Sequence, residues 1–138
     1  MKRLTLLLIY MGLAAPISTP AVAVTLDARA FVERAGELVE AGRYELARTY
    51  LEPALIDFRL TPGERSRAYY LRGYSYYDQG MYVSAMKDYN RALEFFPGNP
   101  VVLSAVAHLH MEGLGVPRNP PLAAAFLEQA AQADHPPA

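Results

Sequence analysis

Between Ser66 and Asn99 the chain places small and aromatic residues at one recurring interval on both sides of Gly80. Tyr69, Gly73 and Tyr76 precede that glycine at steps of four and three, and Ala85, Tyr89, Ala92 and Leu93 follow it at the same steps. Such steps put side chains on one face of a 3.6-residue period, which predicts two helices whose apolar faces meet. Gly73 leaves room for the partner helix to come close. Pro97-Gly98-Asn99-Pro100 ends the second helix, because a residue before proline avoids helical angles and Pro-Gly-Asn is turn chemistry. The 34-residue stretch also holds seven of the chain's ten tyrosines.

The same order recurs on either side. Gly42 and Gly113, like Gly80, each close one helix-period segment and precede another. The segments are Ala28 to Ala41 and Tyr44 to Phe58, Arg65 to Gln79 and Tyr82 to Phe95, Pro100 to Glu112 and Pro120 to Ala133. None shows the period-two alternation of β-branched residues expected of a half-buried strand. The predicted fold class is therefore all-α, six helices in three antiparallel pairs. Thr61-Pro62-Gly63-Glu64 reads as a helix start, with Thr61 as N-cap and Glu64 completing a capping box. Pro53 lies inside the second helix, where it removes a hydrogen bond and predicts a bend between Tyr50 and Ala54.

Tyr69, Gly73, Tyr76, Gly80, Tyr82, Ala85, Tyr89, Ala92 and Pro97 stand where a tetratricopeptide repeat carries its signature residues, and the segment resembles that family closely. Arg72 occupies a position where the family often has leucine. Phe31, Ala35, Leu38, Gly42, Tyr44, Ala47, Leu51 and Ala54 resemble a degenerate copy, with four extra residues in the connection from Arg59 to Glu64. Gly113-Leu114-Gly115-Val116-Pro117-Arg118-Asn119, with Ala123, Phe126, Leu127, Ala130 and Ala131, is similar to a Sel1 repeat. The resemblance thus divides residues 24–138 into a degenerate pair (27–61), a tetratricopeptide repeat (66–99) and a Sel1-like pair (100–138). It implies an α-α superhelix, a solenoid in which the first helix of each pair lines a concave groove.

In the family's arrangement groove positions follow the buried ones by one residue, which selects Arg67, Tyr70, Tyr74, Tyr77 and Asp78. One repeat on, Ser104, His108, Met111 and Glu112 continue the wall; one repeat back, Val32, Gly36, Val39 and Glu40 begin it. Tyr70, Tyr74 and Tyr77 form a stripe at i, i+4 and i+7, offering rigid amphipathic rings that either bind a peptide or extend the core. Relatives that grip a C-terminal carboxylate carry lysine and asparagine at these positions, and this chain has neither there. The implied partner is a protein or peptide.

Chemistry of other kinds is poorly served. The chain of 138 residues has 13 basic against 14 acidic side chains, a balance that offers no field to attract nucleic acid. Cysteine is absent, which removes disulfides and thiolate chemistry. His108 and His110 are two residues apart and face different ways on a helix, and His135 lies in a proline-rich tail, so they assemble no metal site. His110 is expected to be half-buried and His108 to lie on the groove or surface. No nucleophile motif or phosphate loop occurs, so the sequence assigns no catalytic residue, metal or cofactor.

The ends carry two more expectations. Lys2 and Arg3, an apolar run from Leu4 to Ala15, and the small-residue triplet Ala21-Val22-Ala23 have the order of a cleavable secretory signal over 1–23. Twelve apolar residues fall short of the roughly 20 that span a bilayer. The mature chain is therefore expected to have no membrane span and to be exported, into the periplasm in a Gram-negative cell, where its partner would belong to the envelope. The last helix, with Ala123, Ala124, Ala125, Phe126, Leu127, Ala130 and Ala131, is apolar on more than one face and is not followed by a polar capping helix. That end either docks a partner or a second copy, or leaves a small alanine face that water tolerates.

Overall fold

The computed structural model describes residues 27–134; the expected signal segment and His135 lie outside them. Among these residues there are six helices: α1 (Ala28–Glu40), α2 (Tyr44–Ile56), α3 (Pro62–Asp78), α4 (Tyr82–Phe95), α5 (Pro100–Glu112) and α6 (Pro120–Asp134). Each packs on the next, and α1 also packs directly on α3. The fold is all-α, in consecutive pairs. None of these helices is long and apolar enough to cross a membrane.

The three pairs turn in one way. Gly42, Gly80 and Gly113 have φ of 71°, 75° and 70°, left-handed backbone that glycine adopts without strain. The next amide bonds back across each turn, Arg43 N–H to the Leu38 carbonyl, Met81 to Tyr76 and Leu114 to Leu109, at 2.8, 2.9 and 2.9 Å. This six-to-one bond satisfies a carbonyl that the helix end would otherwise leave open.

Helix starts follow local chemistry. The Thr61 hydroxyl accepts the Glu64 amide at 3.2 Å, and the Thr61 amide donates to the Glu64 carboxylate at 2.7 Å, completing the expected capping box. Asn99 caps α5 by accepting from the Val101 and Val102 amides. Helix α2 continues through Pro53 to Ile56 without a break. Arg65 of α3 covers its end, the guanidinium donating to the carbonyls of Leu55 in the last turn and of Asp57 just beyond it at 2.9 and 2.7 Å. In the same connection Leu60 is buried as a plug, which gives the extra residues between the first two pairs a packing role.

Two apolar clusters result. Ala28, Val32, Ala35, Leu38, Ala47, Leu51, Ala54, Leu55, Leu60, Ala68 and Leu71 form the first, between α1, α2 and α3. Ala85, Met86, Tyr89, Ala92, Val102, Val106 and Leu109 form the second, between α4 and α5. Tyr69 and Tyr70 pack against both. Arg72 is held by a two-pronged bond to Asp88 on α4, at 2.7 and 2.8 Å.

The loop after Gly113 presses on the middle pair. A Cβ at Gly115 would lie 2.6 Å from the Tyr82 carbonyl carbon and 2.7 Å from the Val83 nitrogen, and φ there is 69°. Any side chain would meet immovable backbone, so glycine sets how closely the loop approaches α4. Arg118 and Asn119 then cover the end of α5, donating to the Met111 and His110 carbonyls.

Candidate functional groove

One turn of α3 after another presents Tyr70, Tyr74 and Tyr77 to the same side, because residues four and three apart share a helix face. Ring centroids are 6.2 Å apart from Tyr70 to Tyr74 and again from Tyr74 to Tyr77. The three rings are half-buried. Two adjoining hollows meet on this ladder. One, of about 640 Å³, is bounded by Gly36, Val39 and Glu40 of α1, by Tyr44 of α2, and by Arg67 and Leu71 of α3. The other, of about 490 Å³, extends to Val101, Ser104, Ala105 and His108 of α5. Tyr70, Tyr74 and Val101 belong to both hollows. The first helices of the three pairs therefore line one groove, with Tyr89 as part of its floor.

Most of the sequence-selected positions meet here. Arg67 stands at one end, ion-paired across the pairs to Glu33. Tyr77 donates to or accepts from His108 Nε2 at 2.9 Å, which fixes the far end of the ladder. Asp78 is exposed and helps raise the pKa of the Tyr44 hydroxyl, after desolvation, the larger cause. Met111 does not line either hollow; its carbonyl is instead covered by Arg118. Val32 is in the core, 2% exposed, because steps of four and three put it on the buried face of α1 with Ala28 and Ala35. Gly36 is buried under Arg67, whose Nη2 would lie 3.3 Å from an added Cβ.

Tyr70 extends the core, one of the two readings of the tyrosine stripe. It stacks on Tyr89 at 5.8 Å within the core and lines the groove. Six lining residues escaped the repeat register: Leu71, Tyr89 and Ala105, which also pack in or against the core, and Tyr44, Val101 and Asn99. Tyr44, read as repeat packing, leans on Tyr74 at 6.4 Å. Val101 is exposed in the first turn of α5, and its position one residue after a proline gives no sequence signal. Asn99 lines the groove, but its amide is engaged as an N-cap and donates to Ser66 Oγ at 3.3 Å. His110 is half-buried, as expected, and stacks on Phe126 at 5.9 Å.

The electrostatics are mild. Burial pushes the Tyr70 and Tyr77 hydroxyls above their ordinary pKa, so both stay neutral across the physiological range. Among the described residues the Tyr70 and Tyr74 hydroxyls have no side-chain or backbone hydrogen-bond partner, which leaves them available as donors. Arg67 is the cation lining the hollows, and its charge is balanced by Glu33.

Paired antiparallel helices around an aromatic groove define a helical-repeat protein. The chain belongs to the tetratricopeptide repeat family, whose model matches residues 32–100, and a Sel1 repeat follows over residues 102–135. Repeats of these two kinds are typically non-catalytic modules that bind protein partners. Comparison with curated proteins found no match, and comparison with solved structures found none.

Proposed function

We propose that this chain is an exported, non-enzymatic adaptor that holds a peptide or protein segment from a partner of the cell envelope in the groove along Tyr70, Tyr74 and Tyr77. The observation that carries this reading is the ring ladder on which the two hollows meet, with the Tyr70 and Tyr74 hydroxyls left over after internal bonding. Aromatic rings give large contact area at little conformational cost, the composition that binding surfaces favour. The export part rests on the charged, apolar and small-residue order of residues 1–23.

Binders selected from a displayed peptide library on the purified chain test the groove. Tyr74→Ala combined with Tyr77→Ala is expected to weaken the selected peptides at least ten-fold, while far-UV circular dichroism stays unchanged. Phe58→Ser, at a residue 88% exposed outside the groove, serves as the control. Equal binding by the tyrosine variant and the parent would reject the groove.

A second reading has its own observation. Helix α6 leaves Leu122 and Leu127 at 38% and 45% exposure, and Ala124, Ala125 and Ala131 are exposed beside them. On that reading the chain is a structural subunit that pairs through its last helix. Light scattering should then show a concentration-dependent dimer that Leu127→Glu dissociates; a monomer at every concentration would count against pairing.

A further inference from the structure

We infer that the groove is built for a proline-rich segment in the polyproline II conformation. This rests on the groove reading above and assigns the chemistry of its occupant. The available polar groups carry the argument. Helical carbonyls along α1, α3 and α5 are consumed within their own helices, so the groove wall offers few backbone acceptors. What it does offer is hydroxyl donors, on Tyr70 and Tyr74, between flat aromatic faces.

An extended strand would bring a row of amide N–H groups that suits a free sheet edge, whereas the acceptors on this helical wall are scattered side-chain oxygens, Glu40 and the hydroxyls. A helical ligand would bring no free carbonyls for the hydroxyls, since its own are internally bonded. A polyproline II segment differs from both: prolines lack the amide N–H, and the carbonyls are unpaired and point outward. Its needs match what the tyrosines supply. Docking of such helices into aromatic-lined grooves is an established physical mode, helped by the small entropy they lose on binding.

Polyproline II rises about 3.1 Å per residue with three residues per turn, and successive rings of the ladder are 6.2 Å apart in both steps, so the three rings together span roughly one turn of such a segment. The rings are tilted against one another by 42° and 34°, so they are not stacked face to face. Tyr44 flanks the middle ring, Tyr74, and His108 extends the aromatic wall past Tyr77. The end cation, Arg67, is already paired to Glu33, which favours an uncharged occupant over an acidic one.

The test uses a fluorescently labelled proline decamer and two peptides of equal length, one helical and built on alanine and lysine, one an alternating threonine-valine strand. Titration of the full chain should show single-site binding of the decamer at least ten-fold tighter than of either control. Tyr70→Phe with Tyr74→Phe keeps both rings and removes both donors, and should weaken the decamer about ten-fold, given several-fold per neutral hydrogen bond. Phe58→Ser should leave it unchanged. Decamer binding no tighter than the controls, or indifferent to the double phenylalanine variant, overturns the assignment. If the helical or strand peptide binds best and loses affinity in Tyr74→Ala, the proline assignment falls and the groove stands. If no peptide depends on Tyr74, both fall.

Discussion

Tyr89→Ala is expected to destabilise the fold by about 3–5 kcal/mol, the range for removing a large buried aromatic side chain. Tyr89 is 1% exposed and is the largest fully buried side chain among the described residues. It fills the space opposite Gly73, where an added Cβ would lie 2.7 Å from two of its ring carbons and 3.2 Å from the Ala85 carbonyl oxygen. Helix α3 can approach α4 only because one side contributes a ring and the other contributes nothing. Gly73→Ala alone should therefore cost about 1–3 kcal/mol through overpacking. In the Tyr89→Ala background the same methyl group enters the vacated space, and its cost should vanish or reverse. Urea denaturation of the four chains checks this, since residues in contact give non-additive effects. Tyr89→Phe retains the ring and should leave the Gly73→Ala penalty intact. Additive single effects, or a Tyr89→Ala cost below about 1 kcal/mol, would show that this contact does not set the pair's geometry.

Arg72→Leu should destabilise by about 3–5 kcal/mol, the cost of stranding a buried partner. Its partner Asp88 has a side chain only 4% exposed and receives both guanidinium bonds, whereas Arg72 is 23% exposed. Loss of the arginine leaves a buried carboxylate without its donors, whereas loss of Asp88 leaves a guanidinium that reaches water. The second should cost less. Removing both charges with Arg72→Leu and Asp88→Leu should recover most of the loss, since apolar replacements of a buried pair are often near neutral. Thermal denaturation of the parent and three variants distinguishes the cases. An Arg72→Leu chain as stable as the parent, or a double variant weaker than either single one, would contradict the account.

These two expectations also mark what the sequence makes legible. Tyr89 and Gly73 face each other in the structure as their spacing predicts, because the 3.6-residue period is a property of the backbone alone. The turn glycines and the Thr61 cap are legible for the same reason: each depends on its immediate neighbours. Asp88 is not, since an aspartate on an amphipathic helix reads as solvated, and its burial depends on an arginine 16 residues earlier. The stripe of Tyr70, Tyr74 and Tyr77 is recoverable from its period, but the ends of the groove depend on packing between pairs. Tyr44 enters the groove from a second helix, and Val32 lies instead on the buried face of α1, between Ala28 and Ala35. Met111 follows the register yet falls outside the groove, its carbonyl taken by a loop that the tetratricopeptide pattern lacks.

Tyr69 and Tyr70, neighbours on α3, each pack against both apolar clusters. In a linear array, the contacts between neighbouring units decide whether the halves melt as one body or separately. Here part of that coupling sits in two adjacent rings. Tyr70 lines the proposed groove as well, so a molecule seated there would lean on the joint between the halves. On the proposed reading, recognition and cooperativity draw on the same side chain, and neither could be tuned at this position without retuning the other.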